Sequence, residues 1–124
     1  ESYTLENDKL HYFIIVLTGD NIKLDNVKAD ISDYNKQYHK LDQLRVSNIF
    51  LGTDTDTPII VIRKFDNRDM AMKYYTDLTT AKDFIKEKKV KTEFFAITQN
   101  NYRVLLGKKR FDEYRTFFAE KYLK

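Results

Sequence analysis

The residues able to do chemistry are few. Two histidines, His11 and His39, are the only imidazoles in the chain. Neither has a second histidine or a carboxylate at metal-ligand spacing, as an HExxH helix would supply. His39 falls at a predicted helix C-terminus, where an imidazolium is mildly favoured by the helix dipole. Asp54 and Asp56, in the stretch GTDTDTP (52–58), look like the start of a calcium loop. The loop glycine and the closing glutamate that such a loop requires are missing, so a solvated hairpin turn is the better reading. Cysteine is absent, which removes thiol nucleophiles, disulfides and cysteine-held zinc. Ser2, Ser32 and Ser47 are the only serines, and no GxSxG surrounds them. Gly19, Gly52 and Gly107 are isolated, so neither GxGxxG nor a P-loop offers a phosphate cradle. These absences give no catalytic residue, no metal and no cofactor.

Charge gives the remaining candidates. The net charge is +3, with 22 basic and 19 acidic residues interspersed, whereas a nucleic-acid module concentrates its basic surface. Two basic segments stand out, KEKKVK (86–91) and Lys108-Lys109-Arg110. Such runs are ordinarily solvated loops; as a patch they would suit an anionic glycan, lipid headgroups or an acidic partner.

The elements that must position these residues are organised by two apolar runs. His11–Thr18 reads HYFIIVLT, with no polar alternation across its middle, as in a strand buried on both faces. Ile59–Ile62, read IIVI and followed by Arg63, Lys64 and Phe65, is its equal. Nine Phe and nine Tyr without a Trp make the core aromatic, with hydroxyls that favour its margins. Residues 1–10 are a polar lead-in prone to fraying, and residues 11–124 form one domain. The chain starts with Glu and not Met, which reads as an excised domain or processed product with any targeting segment upstream. No signal peptide or membrane span is visible.

Val27, Ile31, Tyr34 and Tyr38 make a helical stripe over about residues 25–38, capped by Asp25 or Asn26, with Lys28, Asp33 and Lys36 in solvent. Residues 44–51 read as a more polar, edge-like strand joined to the IIVI strand by the turn 52–58. A second helix opens at Asp66-Asn67-Arg68-Asp69, with Asp66 as cap and Ala71, Tyr74, Tyr75 and Leu78 as its buried stripe. Thr80-Ala81-Lys82-Asp83 resembles a second capping box and predicts a short helix to about residue 87. Residues 92–98 are strand four. Residues 102–106 read as a helical turn ending at Gly107. A final helix from about residue 111 carries Phe111, Tyr114, Phe118 and Tyr122 on one stripe.

The order β-α-β-β-α-β with an added C-terminal helix is the α+β, ferredoxin-like plan, with an antiparallel sheet of order 4-1-3-2. Three loops, 19–24, 52–58 and 86–91, then share one end. They bring Asp20, Asp54 and Asp56 near Lys88, Lys89 and Lys91, a mixed-charge end suited to weak, salt-sensitive contacts. Both faces of the two central strands are apolar, and two helices cover only one. The final helix is therefore expected over, or at the margin of, the second face, with any remaining apolar strip available to a homodimer or partner. RNA-recognition modules share this plan, but PIIVIRKF lacks their aromatic ladder, and Arg63 and Lys64 are read as snorkelling at the sheet margin.

Several stretches resemble a known family. They are HYFIIVLTGD, ADISDYNKQYHKLDQLRVSNIFL, TPIIVIRKFDNRDMAMKYYTDL, FFAITQNNYRVLL and FDEYRTFFAEKYL. Together they are similar to the C-terminal domain of Bacteroidetes tetratricopeptide-repeat lipoproteins linked to gliding motility and type IX secretion. Ile31-Ser32-Asp33-Tyr34-Asn35, Ala71-x-x-Tyr74-Tyr75 and Ile97-Thr98-Gln99-Asn100-Asn101-Tyr102 carry the likeness, as packing and capping patterns. The resemblance implies a cell-envelope setting, periplasmic or on an outer-membrane lipoprotein anchored through an upstream lipidated Cys. It also implies non-enzymatic, protein–protein work. The element order further resembles SPOR domains, which implies peptidoglycan glycan strands as the alternative partner, although the added helix departs from that pattern. A third class, a small-molecule regulatory domain of the ACT kind, would need a ligand site at a dimer interface.

Overall fold

The computed structural model describes residues 2–51, 57–81, 83–87 and 89–124. Its elements run β1 (His11–Thr18), α1 (Leu24–Tyr38), β2 (Arg45–Phe50), β3 (Pro58–Phe65), α2 (Arg68–Thr80), β4 (Lys91–Thr98), α3 (Gln99–Lys108) and α4 (Asp112–Lys121), with a 3₁₀ turn at Lys40–Asp42. The sheet order is β2-β3-β1-β4 and every pairing is antiparallel. Read from the other edge, this is the expected 4-1-3-2, an α+β, ferredoxin-like arrangement. The two most apolar runs take the centre because only central strands are shielded on both edges and both faces.

Register fixes the faces, since partnered residues share one. Phe13, Ile15 and Leu17 align with Ile62, Ile60 and β4 residues Ala96, Phe94 and Thr92. Helices α1 and α2 cover this face: the Tyr74 ring lies 4.9 Å edge-on to Phe13, and Val27, Ile31, Ala71 and Leu78 are buried. Tyr12, Ile14 and Val16 point the other way with Val61, Ile59, Phe95 and Ile97, and all are buried.

The cover of that second face corrects an expectation. Residues 102–106 are part of a full ten-residue helix, α3, which continues through Gly107 and ends at Lys109 in the left-handed conformation, φ 60°. Tyr102 packs 5.4 Å from Tyr12, and Leu105 is buried. Helix α4 lies at the β4 margin, the second of the two places expected for it. Phe95 of β4 packs against Phe111, Tyr114 and Phe118, and the Tyr114 hydroxyl donates to the Ala96 carbonyl at 2.6 Å. Phe118 continues to Tyr75 of α2, ring centroids 5.4 Å apart.

Three helix boundaries also differ. Helix α1 starts at Leu24 after Lys23, without a side-chain cap, and Asp25 sits in its first turn, where its charge still meets the helix dipole. Helix α2 is capped by Asn67, whose side chain accepts from the Met70 amide, and not by Asp66. Among the described residues 83–87 no helix forms; Asp83 takes a positive φ of 62°, which breaks the expected one. The lead-in does not fray: Thr4 exchanges two hydrogen bonds with the buried Asn101 side chain, and Tyr3 lies edge-on to Tyr114 at 4.9 Å.

Candidate functional site

The described part of the loop end lies where the four strands have their termini. Thr18 pairs with Lys91 and Phe50 with Pro58, so the ends of all four strands meet there. Gly19 lies so close to the Lys89 carbonyl that a Cβ would sit 2.8 Å from that oxygen, which explains a glycine at this position. Lys89, Lys91 and Asp20 are exposed. Asp54, Asp56 and Lys88 lie outside the described residues. The hollow at this end, about 670 Å³, is lined by Gly19, Asp20, Ile22, Leu24, Phe50 and Pro58 among others, with no basic side chain in its described lining.

A better-formed groove lies along α1 from Asp30 to Tyr38, between its outer face and the segment after α2. Asp30, Asp33, Tyr34, Gln37 and Tyr38 follow the i, i+3, i+4, i+7, i+8 spacing of one helix face. Asp77, Thr80 and Ala81 face them from the end of α2, and Asp83, Phe84 and Lys86 close the side. The groove encloses about 650 Å³. Its far wall is anchored by the Lys86 amide, which donates to Asp30 Oδ2 at 3.0 Å. The Tyr34 ring is the floor, 4.8 Å from Tyr38 and 5.2 Å from Phe84. Four carboxylates and three aromatic rings thus meet one ammonium in the described lining, although the whole chain is net positive. Burial, and next the Asp77 charge, raises the Tyr34 hydroxyl above its ordinary value, so it stays a neutral donor.

Behind the groove is a buried polar cluster. The Tyr74 hydroxyl donates to Asn35 Oδ1 at 2.7 Å. His39, its side chain only 10% exposed, lies between Asp42 (3.4 Å) and Asp77 (3.6 Å). His39 ends α1, as its sequence position predicts, and lies beside the last turns of α2, its buried Nε2 without a hydrogen-bond partner among the described residues.

This geometry corrects the helix-one stripe. Tyr38 is 62% exposed and Tyr34 half-buried; the buried positions are Val27, Ile31 and Asn35. Asn35 continues the i+4 spacing but is polar, so apolar periodicity passed over it. Asp30, Asp77 and Asp83 were also missed. The signal lay in Asp30, Asp33 and Gln37 sharing a face with the two tyrosines; the contribution from α2 had no local sign.

The other histidine is structural. His11 is buried, its Nδ1 2.7 Å from the Lys9 carbonyl and its Nε2 2.7 Å from the Tyr122 hydroxyl. The carbonyl can only accept, so Nδ1 carries the proton and Nε2 accepts from Tyr122. Burial lowers the imidazole pKa; the Lys9 carbonyl opposes this in part, and the Arg68 charge adds a smaller lowering. Arg63 does more than snorkel: its guanidinium lies 4.7 Å from the Tyr12 ring centroid and donates to Ser47 Oγ at 2.9 Å. Among the described residues no group of His, Cys, Asp and Glu is placed to hold a metal ion, and no helix is long and apolar enough to cross a membrane.

Comparison of the chain with known protein families, with curated proteins and with solved structures gave no match.

Proposed function

We propose that this domain is a non-enzymatic protein-interaction module, and that the groove between α1 and the segment after α2 receives a positively charged stretch of its partner. The observation that carries this reading is local acidity on a basic chain: Asp30, Asp33, Asp77 and Asp83 around Tyr34, Tyr38 and Phe84. Carboxylates attract a Lys or Arg side chain, and exposed aromatic faces hold its cation or alkyl stem. An attraction of this kind steers association and sets specificity more than it adds affinity. Resemblance to the C-terminal domain of Bacteroidetes tetratricopeptide-repeat lipoproteins supplies the setting: the cell envelope, on a lipoprotein linked to gliding motility and type IX secretion.

The SPOR-like alternative would place a glycan strand on an open sheet face. Here Tyr12, Ile14, Val16, Ile59 and Val61 are buried, with Tyr102 and Leu105 of α3 among their cover, which favours the protein-binding reading. The same burial moves any homodimer away from the sheet face.

The test is capture of partners from an envelope fraction by the wild-type domain and by a double Asp33→Lys, Asp83→Lys variant, with sedimentation on purified peptidoglycan in parallel. The expected result is a captured protein that is lost in the variant and released by salt, with no retention on peptidoglycan. Equal capture by the variant removes the groove. Retention on peptidoglycan alone supports the glycan reading in its place.

A further inference from the structure

We infer that the open edge of β2 is a self-pairing surface, joining two copies of this chain into one continuous eight-stranded antiparallel sheet about a two-fold axis at Asn48. The inference is independent of the groove. Among the described residues β2 bonds to β3 on one side only. Among the described residues no other backbone group bonds to Arg45–Phe50. The usual guards of an edge strand are a lysine, a proline, a bulge or a covering helix, and RVSNIF has none of them within it. Its one charge, Arg45, lies at the strand end.

The order of residues selects the occupant. Two-fold pairing about an axis normal to the sheet keeps each residue on its own face, so it must be centred on a residue. Centred on Asn48, it sets Val46 opposite Phe50 of the second copy, and Phe50 opposite Val46, on the helix-covered face. On the other face Ser47 meets Ile49 of the second copy. Phe50 is 43% exposed in the single chain and gains an apolar neighbour. Arg45 falls opposite Leu51, so no like charges oppose one another along the strand. Centring on Ser47 would set Val46 against Asn48 and Arg45 against Ile49, mismatching both faces. At the axis the two Asn48 amides meet, each already accepting from Lys28 Nζ at 2.9 Å, with Asp25 3.8 Å from that ammonium. Each side therefore brings a cation with its own counter-charge. A strand of six residues makes a small interface, and association is correspondingly weak.

The register can be read directly, because the chain has no native cysteine. Opposed residues in an antiparallel pair have Cα atoms roughly 4.5–5.5 Å apart, within disulfide reach. Under copper–phenanthroline oxidation, Asn48→Cys is expected to give a disulfide-linked dimer. Ser47→Cys and Ile49→Cys alone give little, but their equimolar mixture gives the mixed dimer. Wild-type protein is expected to show a concentration-dependent monomer–dimer equilibrium by sedimentation, abolished by Phe50→Glu without change in the far-UV spectrum. Two results overturn the inference. One is a wild-type chain that stays monomeric up to millimolar concentration. The other is cross-linking of Asn48→Cys no faster than that of an exposed control, Asp69→Cys. The wild-type measurement needs no variant to fold.

Discussion

The two edges of this sheet are treated in opposite ways. β4 is closed: α4 lies along it, Tyr114 bonds the Ala96 carbonyl, and Arg115 grips Glu93 with two nitrogens at 2.5 and 2.9 Å. β2 has α1 against one face and nothing described along its outer backbone. The closed edge is built from large buried rings, while the open edge carries small or half-exposed side chains. Stability is thus concentrated at one edge, and the capacity to associate at the other.

Removing Phe111–Lys124 should produce the largest effect on this contrast. Phe95 loses its packing, and His11 and Tyr3 lose their partners, so the truncated chain is expected to aggregate or unfold. A monomer that keeps its full melting temperature in size-exclusion and thermal-melt measurements would show that α4 is not the closing element. Next is Phe118→Ala, which empties the junction between Phe95, Tyr75 and Tyr122. Denaturant titration should show a loss of about 3–5 kcal/mol, as for other buried Phe truncations.

A smaller effect depends on pH. The His11 pKa is lowered in the folded state, and the unfolded chain therefore binds this proton more readily. Stability from this group is complete above the unfolded value of about 6.5 and is lost as pH falls toward the folded value. His11→Leu should cost roughly 1–3 kcal/mol at neutral pH, through the Tyr122 hydroxyl left without an acceptor. Its melting temperature should fall less steeply than that of wild type between about pH 6.5 and 5. Parallel acid limbs in the two proteins would assign the pH dependence to other groups. Smallest of all is Phe50→Ser on the open edge, expected to move the stability of dilute monomer by no more than about 0.5 kcal/mol. A loss comparable to that of Phe118→Ala would mean that β2 is as closed as β4.

Much of the fold was legible because it follows from burial. HYFIIVLT and IIVI have no polar face, and only the centre of a covered sheet accepts such runs. What was not legible depended on pairs distant in sequence. Residues 99–108 carry an exposed Leu106 and a glycine, and read alone they make a turn; a helix forms because Thr98 caps it and Tyr102 and Leu105 find the apolar side of Tyr12, Ile14 and Val16. Tyr34 and Tyr38 look like core by composition, whereas Asn35 takes the inner position because Tyr74, from α2, supplies its hydrogen bond. The acidic groove likewise needs Asp77 and Asp83 brought to Asp30 and Asp33, a meeting that no local pattern encodes.

The clasp between the lead-in and α3–α4 also has a mechanical meaning. Thr4 is held by Asn101, Tyr3 rests against Tyr114 and Phe117, and Arg68 reaches both Asn7 and the Tyr122 carbonyl. A tension applied between residues 2 and 124 therefore first meets side-chain contacts and a few hydrogen bonds at one corner. These peel one after another, and the β1–β3 and β1–β4 ladders bear no load until the corner has opened.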